Sequence, residues 1–149
     1  MTDIMSSAAR SLRMSKIRQA DTRPEIALRK ALHARGFRYR LHPRNLPGRP
    51  DIVLPRFRVV VFVHGCFWHG HSCRAGRLPT SNVDYWAGKI RANRQRDEAK
   101  ERQLVEAGWR ILTIWECELG SNETRRTTVD RAIAFIARND SNPGPTSTA

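Results

Sequence analysis

A capping signal and a regular apolar face predict the first helix of the chain. Thr22 and Glu25 are spaced like the Ser/Thr and Glu of a capping box at a helix start. Leu28 and Leu32 then fall on one helical face, and Gly36 suits a C-terminal stop. The pattern predicts a helix that begins after Thr22, and this local capping role is by itself a full explanation for Glu25.

Three strands are predicted after this helix. Residues 37–42 alternate apolar and polar side chains, which is typical of a half-buried strand. Residues 51–54 form a short apolar run, and residues 58–63 are almost continuously β-branched. The β-branched run at residues 58–63 predicts a central strand buried on both faces. Residues 65–80 lack a regular pattern and hold two cysteines and two histidines, so we expect an irregular loop there.

The second half of the chain predicts a further strand between two helices. Residues 84–107 form a long, polar helical stretch, and residues 109–115 are typical of another buried strand. Residues 123–138 repeat apolar side chains on one helical face. The predicted order is α-β-β-β-α-β-α, without internal repeats. This order indicates an α/β fold in which helices cover a mixed central sheet.

The chain carries a strong positive charge. Its 149 residues suit one domain, and 27 Lys plus Arg against 14 Asp plus Glu give a net charge of +13. Most of the basic residues are arginines, whose planar guanidinium pairs with phosphate at two positions. Such a field attracts polyanions. An anionic membrane is the alternative, but no long amphipathic helix with a basic face stands out, so nucleic acid is the predicted partner.

We expect three regions along the chain. Residues 1–20 hold several basic residues against one acid, which fits a basic DNA-binding arm or, equally, a solvated tail. Residues 21–138 carry the predicted elements of one folded nuclease domain. Residues 139–149 are polar and contain proline and glycine, so a disordered tail is expected. Because no long apolar run and no secretory signal is visible, we expect a cytoplasmic protein without a membrane partner.

All three cysteines of the chain combine with one histidine into a possible metal site. Cys66, His71, Cys73 and the distant Cys117 form a Cys3His set, which suits tetrahedral zinc. Thiolates in a reducing cytosol favour metal over a disulfide. The alternatives are that the cysteines only fill the core, or that His69 takes the place of His71. Four protein ligands would leave no open position, so the predicted zinc is structural.

A second set of residues carries the chemistry of phosphodiester cleavage. Asp51 opens a predicted strand, and a carboxylate at a strand end is where such enzymes commonly hold a divalent cation. His64 and His69 flank the irregular loop and have side chains that exchange protons near neutral pH. Asp97, on the long predicted helix, could fix the tautomer of one of them. The alternative is that Asp51 lies in an ordinary turn and the histidines are structural.

Bulky aromatic residues accompany the cysteines. Phe67 and Trp68 are adjacent in the loop, and Trp86 follows at the start of the long helix. One interpretation is that they pack around the zinc site. The other is that they form a wedge, because proteins that kink DNA insert apolar side chains between base steps.

Several segments together resemble the very-short-patch-repair (Vsr) mismatch endonucleases. They are LPGRPD at 46–51, VFVHGCFWH at 61–69 and GWRILTIWEC at 108–117. The opening segments RSLRMSKIR at 10–18 and DTRPE at 21–25 are similar to that family as well. The resemblance covers roughly residues 8–138, and its motifs are specific because HGCFWH and WEC together are not generic patterns.

The resemblance implies a restriction-endonuclease-like core and a magnesium-dependent enzyme. Such an enzyme recognises the T:G mismatch left by deamination of 5-methylcytosine and nicks the strand 5′ of the thymine. By position, Asp51 would bind Mg²⁺ together with the main-chain carbonyl of Val63, where the family usually has threonine. The other residues expected around the scissile phosphate are His64, His69, Glu25 and Asp97.

The same resemblance implies roles for the loop and for the arm. Zinc would be held by Cys66, His71, Cys73 and Cys117. The DNA wedge would consist of Phe67, Trp68 and Trp86 on the major-groove side, with Met14 of the arm pressing from the minor-groove side.

These inferences lead to the expectation of a strand-specific mismatch nickase that acts as a monomer on double-stranded DNA. His69, oriented by Asp97, is the candidate for activating water, and His64, paired with Glu25, would assist at the phosphate or the leaving group. Two alternatives stay open. One is a non-catalytic zinc-containing DNA-binding module, and the other is a restriction-type nuclease that cuts fully paired DNA.

Overall fold

The computed structural model describes residues 21–138, so the predicted arm at 1–20 with Met14 and the predicted tail at 139–149 lie outside the described residues. The predicted order α-β-β-β-α-β-α is confirmed. Among the described residues, no helix is both long and apolar enough to cross a membrane. The elements are α1 (Arg23–Ala34), β1 (Arg40–Leu41), β2 (Ile52–Leu54), β3 (Val59–His64), α2 (Val83–Glu106), β4 (Arg110–Trp115) and α3 (Asn122–Ala137), with short 3-10 helices at Pro55–Phe57, Arg74–Gly76 and Glu116–Leu119.

The four strands form one mixed sheet in the order β1-β2-β3-β4. The pairs β1–β2 and β2–β3 are antiparallel, whereas β3 and β4 run parallel, with His64 opposite Trp115. Because of these directions, β1, β3 and β4 all finish at the end of the sheet where β2 begins. We call this the site end of the sheet, since the chemistry-bearing residues gather there.

The central strand β3 is buried on both faces, as its β-branched run predicts. Val59 and Val61 pack into a core with α1 and α3, and Val60 and Phe62 pack into a second core with Leu104 of α2. Successive side chains of a strand point to opposite faces, which explains this division. The fold is therefore three layers, with α1 and α3 on one face of the sheet and α2 on the other.

The predicted strand starts at residue 37 and at Arg58 are wrong, each for a local reason, and most of the other predicted boundaries shift by one residue. The strand predicted at residues 37–42 is only two residues long, because the β1–β2 ladder pairs only Arg40 with Val53 and Leu41 with Ile52. Phe37 and Tyr39 still pack against the core, so their alternation reflects burial without strand pairing. Arg58 does not begin β3, because its backbone is left-handed at φ 55°.

A buried arginine fastens the closing helix to the sheet. Arg110, the first residue of β4, is only 9 % exposed. Its guanidinium donates hydrogen bonds to the carbonyl oxygens of Phe135 (2.8 Å), Ile136 (3.0 Å) and Phe57 (3.3 Å). The last carbonyls of a helix have no partner within the helix. Arg110 thus supplies donors for the end of α3 and ties that end to the sheet.

Candidate active site and metal centre

Asp51 lies at the site end of the sheet, immediately before β2. Its backbone N–H donates to the carbonyl of Val61 (3.1 Å), and its Oδ2 accepts a hydrogen bond from the N–H of Val63 (2.6 Å). The side chain thus extends the contacts between β2 and β3 beyond the first residue of β2, as far as Val63. Burial raises the pKa of Asp51 to about 8, against the lowering effect of the Val63 N–H and with a further rise from the Glu25 carboxylate.

The backbone of Val63 faces Asp51. In a strand, the N–H and C=O of one residue point towards the same neighbouring strand. Because the N–H of Val63 reaches Asp51, its carbonyl also points to the side on which Asp51 lies. The valine side chain does not alter this backbone direction, so the carbonyl role expected for Val63 is compatible with the fold.

Glu25 joins Asp51 from the start of α1. Thr22 caps that helix, with its Oγ1 accepting from the N–H of Glu25 (3.4 Å), which confirms half of the predicted capping box. The carboxylate of Glu25, however, does not complete the box. It is 1 % exposed and accepts hydrogen bonds from Arg29 (2.8 Å) and His42 (2.9 Å). The local explanation for Glu25 is therefore wrong, and so is its expected pairing with His64.

His42 was missed by the sequence analysis. Its Nε2 lies 2.9 Å and 3.1 Å from the two carboxylate oxygens of Glu25 and 3.9 Å from Oδ1 of Asp51. The only signal in the sequence was its position at the end of a predicted strand. That signal did not show that β1 finishes where β2 begins. We refer to Glu25, His42 and Asp51 as the carboxylate cluster.

Two histidines and an aspartate stand next to one another at the same end of the sheet. The rings of His64 and His69 are stacked, with centroids 3.8 Å apart and an interplanar angle of 14°. Nδ1 of His69 lies 2.5 Å from Oδ2 of Asp97 on α2, so the predicted His69–Asp97 contact is confirmed. An ionised carboxylate only accepts, so Nδ1 is the donor. In neutral His69 this leaves Nε2 as a proton acceptor.

His64 is the buried member of the stack. Burial lowers its pKa to about 4, and the neighbouring His69 lowers it further, against a raising effect from Asp97. The ring is therefore neutral at physiological pH. Its edge contacts Trp115, whose centroid is 5.4 Å away, because the parallel register places the last residues of β3 and β4 side by side.

The oxygen atoms at this end of the sheet fit a hard divalent cation. Mg²⁺ prefers carboxylate and carbonyl oxygens and usually keeps several waters. Asp51 and the carbonyl of Val63 offer that donor set, with Glu25 adjacent. A buried carboxyl whose pKa is raised by burial is also a place where a positive charge would be stabilised. The donor set therefore fits the expected magnesium, with Asp51 and Val63 as its holders.

The Cys/His cluster consists of Cys66, His71, Cys73 and Cys117. One ligand atom from each of these residues lies within 4.8 Å of all the others, and all three cysteines are free thiols. Nδ1 of His71 is 3.5 Å from the sulfur of Cys117. The predicted grouping is thus confirmed as geometry. Three soft sulfurs and one imidazole nitrogen fit tetrahedral zinc, which they would hold without an open position.

The structure decides between the two histidines proposed for this cluster. His71 lies with the cysteines, and its ring stacks on Trp115 at 4.2 Å. His69 turns the other way, towards Asp97. The alternative in which His69 replaces His71 is therefore wrong for this structure. The alternative of three cysteines that merely fill the core also fails, since Cys117 is exposed.

The three aromatic residues of the expected wedge are in mutual contact. Edge-type contacts join Phe67 to Trp68 (5.2 Å), Phe67 to Trp86 (5.5 Å) and Trp68 to Trp86 (6.1 Å). They differ in exposure, because Trp86 is only 4 % exposed whereas Phe67 and Trp68 are partly exposed. Trp86 therefore forms a buried base against which the side chains of Phe67 and Trp68 pack.

The loop that carries these aromatics is fastened to α2. Asn93 donates a hydrogen bond to the carbonyl of Trp68 (3.0 Å). Gly70 has φ +66°, and a Cβ at this position would lie 2.8 Å from Ile90. A side chain at Gly70 would thus disturb both the backbone and the packing.

The exposed side of α2 is basic, with Lys89, Arg91, Arg94, Arg96, Lys100 and Arg102.

Comparison with known proteins supplies the decisive observation. A family model of the DNA mismatch endonuclease Vsr matches residues 2–75. The type II nicking enzyme V.XorIIP of Xanthomonas oryzae pv. oryzae is 56 % identical over 119 residues, which are 80 % of this chain and 88 % of that protein. The DNA mismatch endonuclease Vsr of Escherichia coli K12 is 41 % identical over 123 residues, or 83 % of this chain and 79 % of that one.

The chain belongs to the Vsr family of DNA mismatch endonucleases. A further member, the type II nicking enzyme V.NmeAIP of Neisseria meningitidis, is 44 % identical over 136 residues, covering 91 % of this chain and 97 % of that protein. As a Vsr-family protein the chain is a DNA endonuclease, which confirms the nucleic-acid partner predicted from its charge. Vsr membership argues against a DNA-binding module without catalysis.

Proposed function

We propose that this Vsr-family endonuclease nicks duplex DNA 5′ of the thymine in a T:G mismatch and uses Mg²⁺ to do so. The observation that carries the proposal is the arrangement at the site end of the sheet. A buried carboxylate, a histidine with a free acceptor nitrogen and a partly exposed aromatic pair lie there together. Two similar proteins, V.XorIIP and V.NmeAIP, are named as nicking enzymes, which supports cleavage of one strand.

Asp51 and Val63 would hold the cation. When bound there, Mg²⁺ would polarise the scissile phosphate and neutralise the charge that develops on it. The role of Asp51 is to present its carboxylate at a fixed position, since the N–H of Val63 holds Oδ2 on one side. The close approach of strand β3 thus orients the ligand before substrate binds.

His69 is the proposed base. Asp97 accepts from its Nδ1, which keeps Nε2 available to take a proton from water. The stacked neighbour His64 limits the movement of that ring. Because His64 is neutral and buried, we assign it to contact with the phosphate or the leaving oxygen, near the cation-binding carboxylate.

Zinc in the Cys/His cluster would be structural. It would join the loop after β3, which contains Cys66, His71 and Cys73, to the segment after β4, which contains Cys117. This connection would also hold the backbone of Phe67 and Trp68 in place. These two residues are partly exposed and are proposed to enter the base stack. Trp86 would act as their support, and Met14, which lies outside the described residues, is proposed for the opposite groove.

A single assay tests this function. The protein is incubated with Mg²⁺ and with end-labelled duplexes that are identical except for one T:G or one fully matched position. We expect one nick, 5′ of the thymine, only in the mismatched duplex. Equal cutting of both duplexes would instead indicate a restriction-type nuclease, and binding without cutting would indicate that this chain is catalytically inactive.

A further inference from the structure

His42 occupies a position between the two buried carboxylates of the site. Its Nε2 contacts both oxygens of Glu25, at 2.9 Å and 3.1 Å, and lies 3.9 Å from Oδ1 of Asp51. An ionised carboxylate can only accept a hydrogen bond, so Nε2 carries the hydrogen. The Nε2–H group of His42 therefore bonds the carboxylate of Glu25 directly and lies close to that of Asp51.

The backbone holds His42 in this position. Its N–H donates to the carbonyl of Asp51 (3.2 Å), so both the main chain and the side chain of His42 contact the same residue. The residue has φ 46°, a left-handed conformation that turns the chain away after β1. The turn directs the ring away from the ladder and into the space between α1 and β2.

The two carboxylates need such a neighbour. Only 2 % of the Glu25 side chain and 13 % of the Asp51 side chain are exposed, so water would screen the repulsion between the two groups poorly when both are ionised, as they are when a cation binds. Arg29 also contacts Glu25, donating a hydrogen bond to its Oε2 (2.8 Å). Arg29 has no such contact with Asp51, whereas His42 lies within 4 Å of both acids.

We propose that His42 is a positioning residue, which holds the buried Glu25 carboxylate beside Asp51 and so keeps Asp51 oriented towards the divalent cation. The inference rests on the proposed function for the identity of that cation and extends it to a residue outside the expected set. The role belongs to the hydrogen-bond donor at Nε2. A side chain that places a donor at the same reach should therefore replace histidine, and a side chain of similar size without a donor should not.

The test compares substitutions that separate the donor from the shape. His42→Gln keeps an N–H group at about the reach of Nε2, His42→Asn shortens that reach, and His42→Leu removes the donor. His33→Leu is the matched control, because His33 is an exposed histidine of α1 away from the carboxylates. Each protein is measured for thermal melting, for Mn²⁺ binding through the electron paramagnetic resonance signal of the free ion, and for single-turnover nicking of the T:G duplex.

We expect His42→Leu and His42→Asn to weaken Mn²⁺ binding and slow nicking by about 10–100-fold, as loss of a residue that orients a metal ligand does. His42→Gln should recover most of both, and His33→Leu should match wild type. The melting temperatures of these variants should not follow the order of their Mn²⁺ affinities and nicking rates.

Several outcomes would overturn the proposal. These are wild-type Mn²⁺ affinity in His42→Leu, equal impairment in His42→Gln and His42→Asn, or no Mn²⁺ binding by the wild type. If His42→Leu does not fold, the comparison of His42→Gln with His42→Asn still tests whether a donor at the reach of Nε2 is required. If the wild type binds Mn²⁺ but does not nick, the proposed function fails and the binding series alone tests His42.

Discussion

Two clusters in this protein each gather side chains that could bind a metal ion, but they are assembled differently. Three members of the Cys/His cluster, Cys66, His71 and Cys73, come from one short loop, and only Cys117 arrives from a distant segment. The carboxylate cluster draws one residue each from α1, the end of β1 and the start of β2. The first is mainly a local structure, whereas the second exists only when helix and sheet are packed together.

The difference separates stability from chemistry. A cluster of three thiolates and one imidazole would bind a metal tightly and fix the loop, but it has no open position for a substrate. The carboxylate cluster presents oxygen donors beside the stacked histidines, and it owes its geometry to the strand order. Loss of the first cluster should therefore be visible mainly in melting experiments, and loss of the second mainly in rates.

The largest effect is expected from Asp51→Asn. The amide keeps the size of the side chain but removes the negative charge that would hold the cation. Single-turnover nicking of the T:G duplex in Mg²⁺ should fall by about a thousandfold or more, which corresponds to about 4 kcal/mol. Mismatch binding should change little. Asp130→Asn, at an exposed acid of α3, is the control, and a wild-type rate in Asp51→Asn would remove Asp51 from the metal site.

The next effect concerns the other cluster. Cys117→Ser removes one soft ligand, so the free energy of unfolding should fall by about 3 kcal/mol, with the melting temperature lower by on the order of 10 °C. A strong chelator should lower the melting temperature of the wild type by a similar amount and leave the variant unchanged. Elemental analysis of the wild type should give one zinc per chain, and a protein without bound metal would refute the structural zinc.

A smaller effect on rate is expected from Asp97→Asn. The amide can present its NH₂ group to Nδ1 of His69, which favours the tautomer without a free acceptor at Nε2. Nicking should slow by about a hundredfold, or about 2.7 kcal/mol, at unchanged melting temperature. In combination with His69→Ala, the second change should add little. Additive losses would show that the two residues act separately.

The smallest effect is expected from Trp68→Ala. If Trp68 enters the base stack, its truncation should reduce affinity for the T:G duplex more than for the matched one, because unstacking a base step costs a few kcal/mol. We expect the ratio of the two affinities to fall by about tenfold, or 1.4 kcal/mol. Folding is checked by melting. An unchanged ratio would assign the residue to packing alone.

The same local-versus-distant contrast explains what the sequence could predict. The β-branched run of β3 and the spacing of Cys66, His71 and Cys73 depend on neighbours in the chain, and both predictions are confirmed. The short length of β1 depends on where its partner β2 turns away, which no pattern within residues 37–42 contains. Local periodicity reports burial more directly than pairing.

The carboxylate cluster shows the limit most clearly. Glu25 and His42 are 17 positions apart, and their contact requires β1 to finish beside the start of α1. From the sequence alone, the capping pattern was a sufficient explanation for Glu25, and His42 was one more residue of an alternating strand. The choice between His69 and His71 likewise depended on a contact with Asp97, which lies on α2, 28 positions from His69 in the chain.

The buried guanidinium of Arg110 sets how far the chain can be shortened from its C-terminal side. Two carbonyl oxygens that accept from it belong to Phe135 and Ile136, in the last turn of α3. A chain that ended before Phe135 would lose both acceptors and the Phe135 ring, whose centroid lies 5.3 Å from the guanidinium carbon, and each lost hydrogen bond to a charged group costs about 1.5–3 kcal/mol. A C-terminal truncation would therefore be felt by a residue at the beginning of β4, about one helix earlier in the chain.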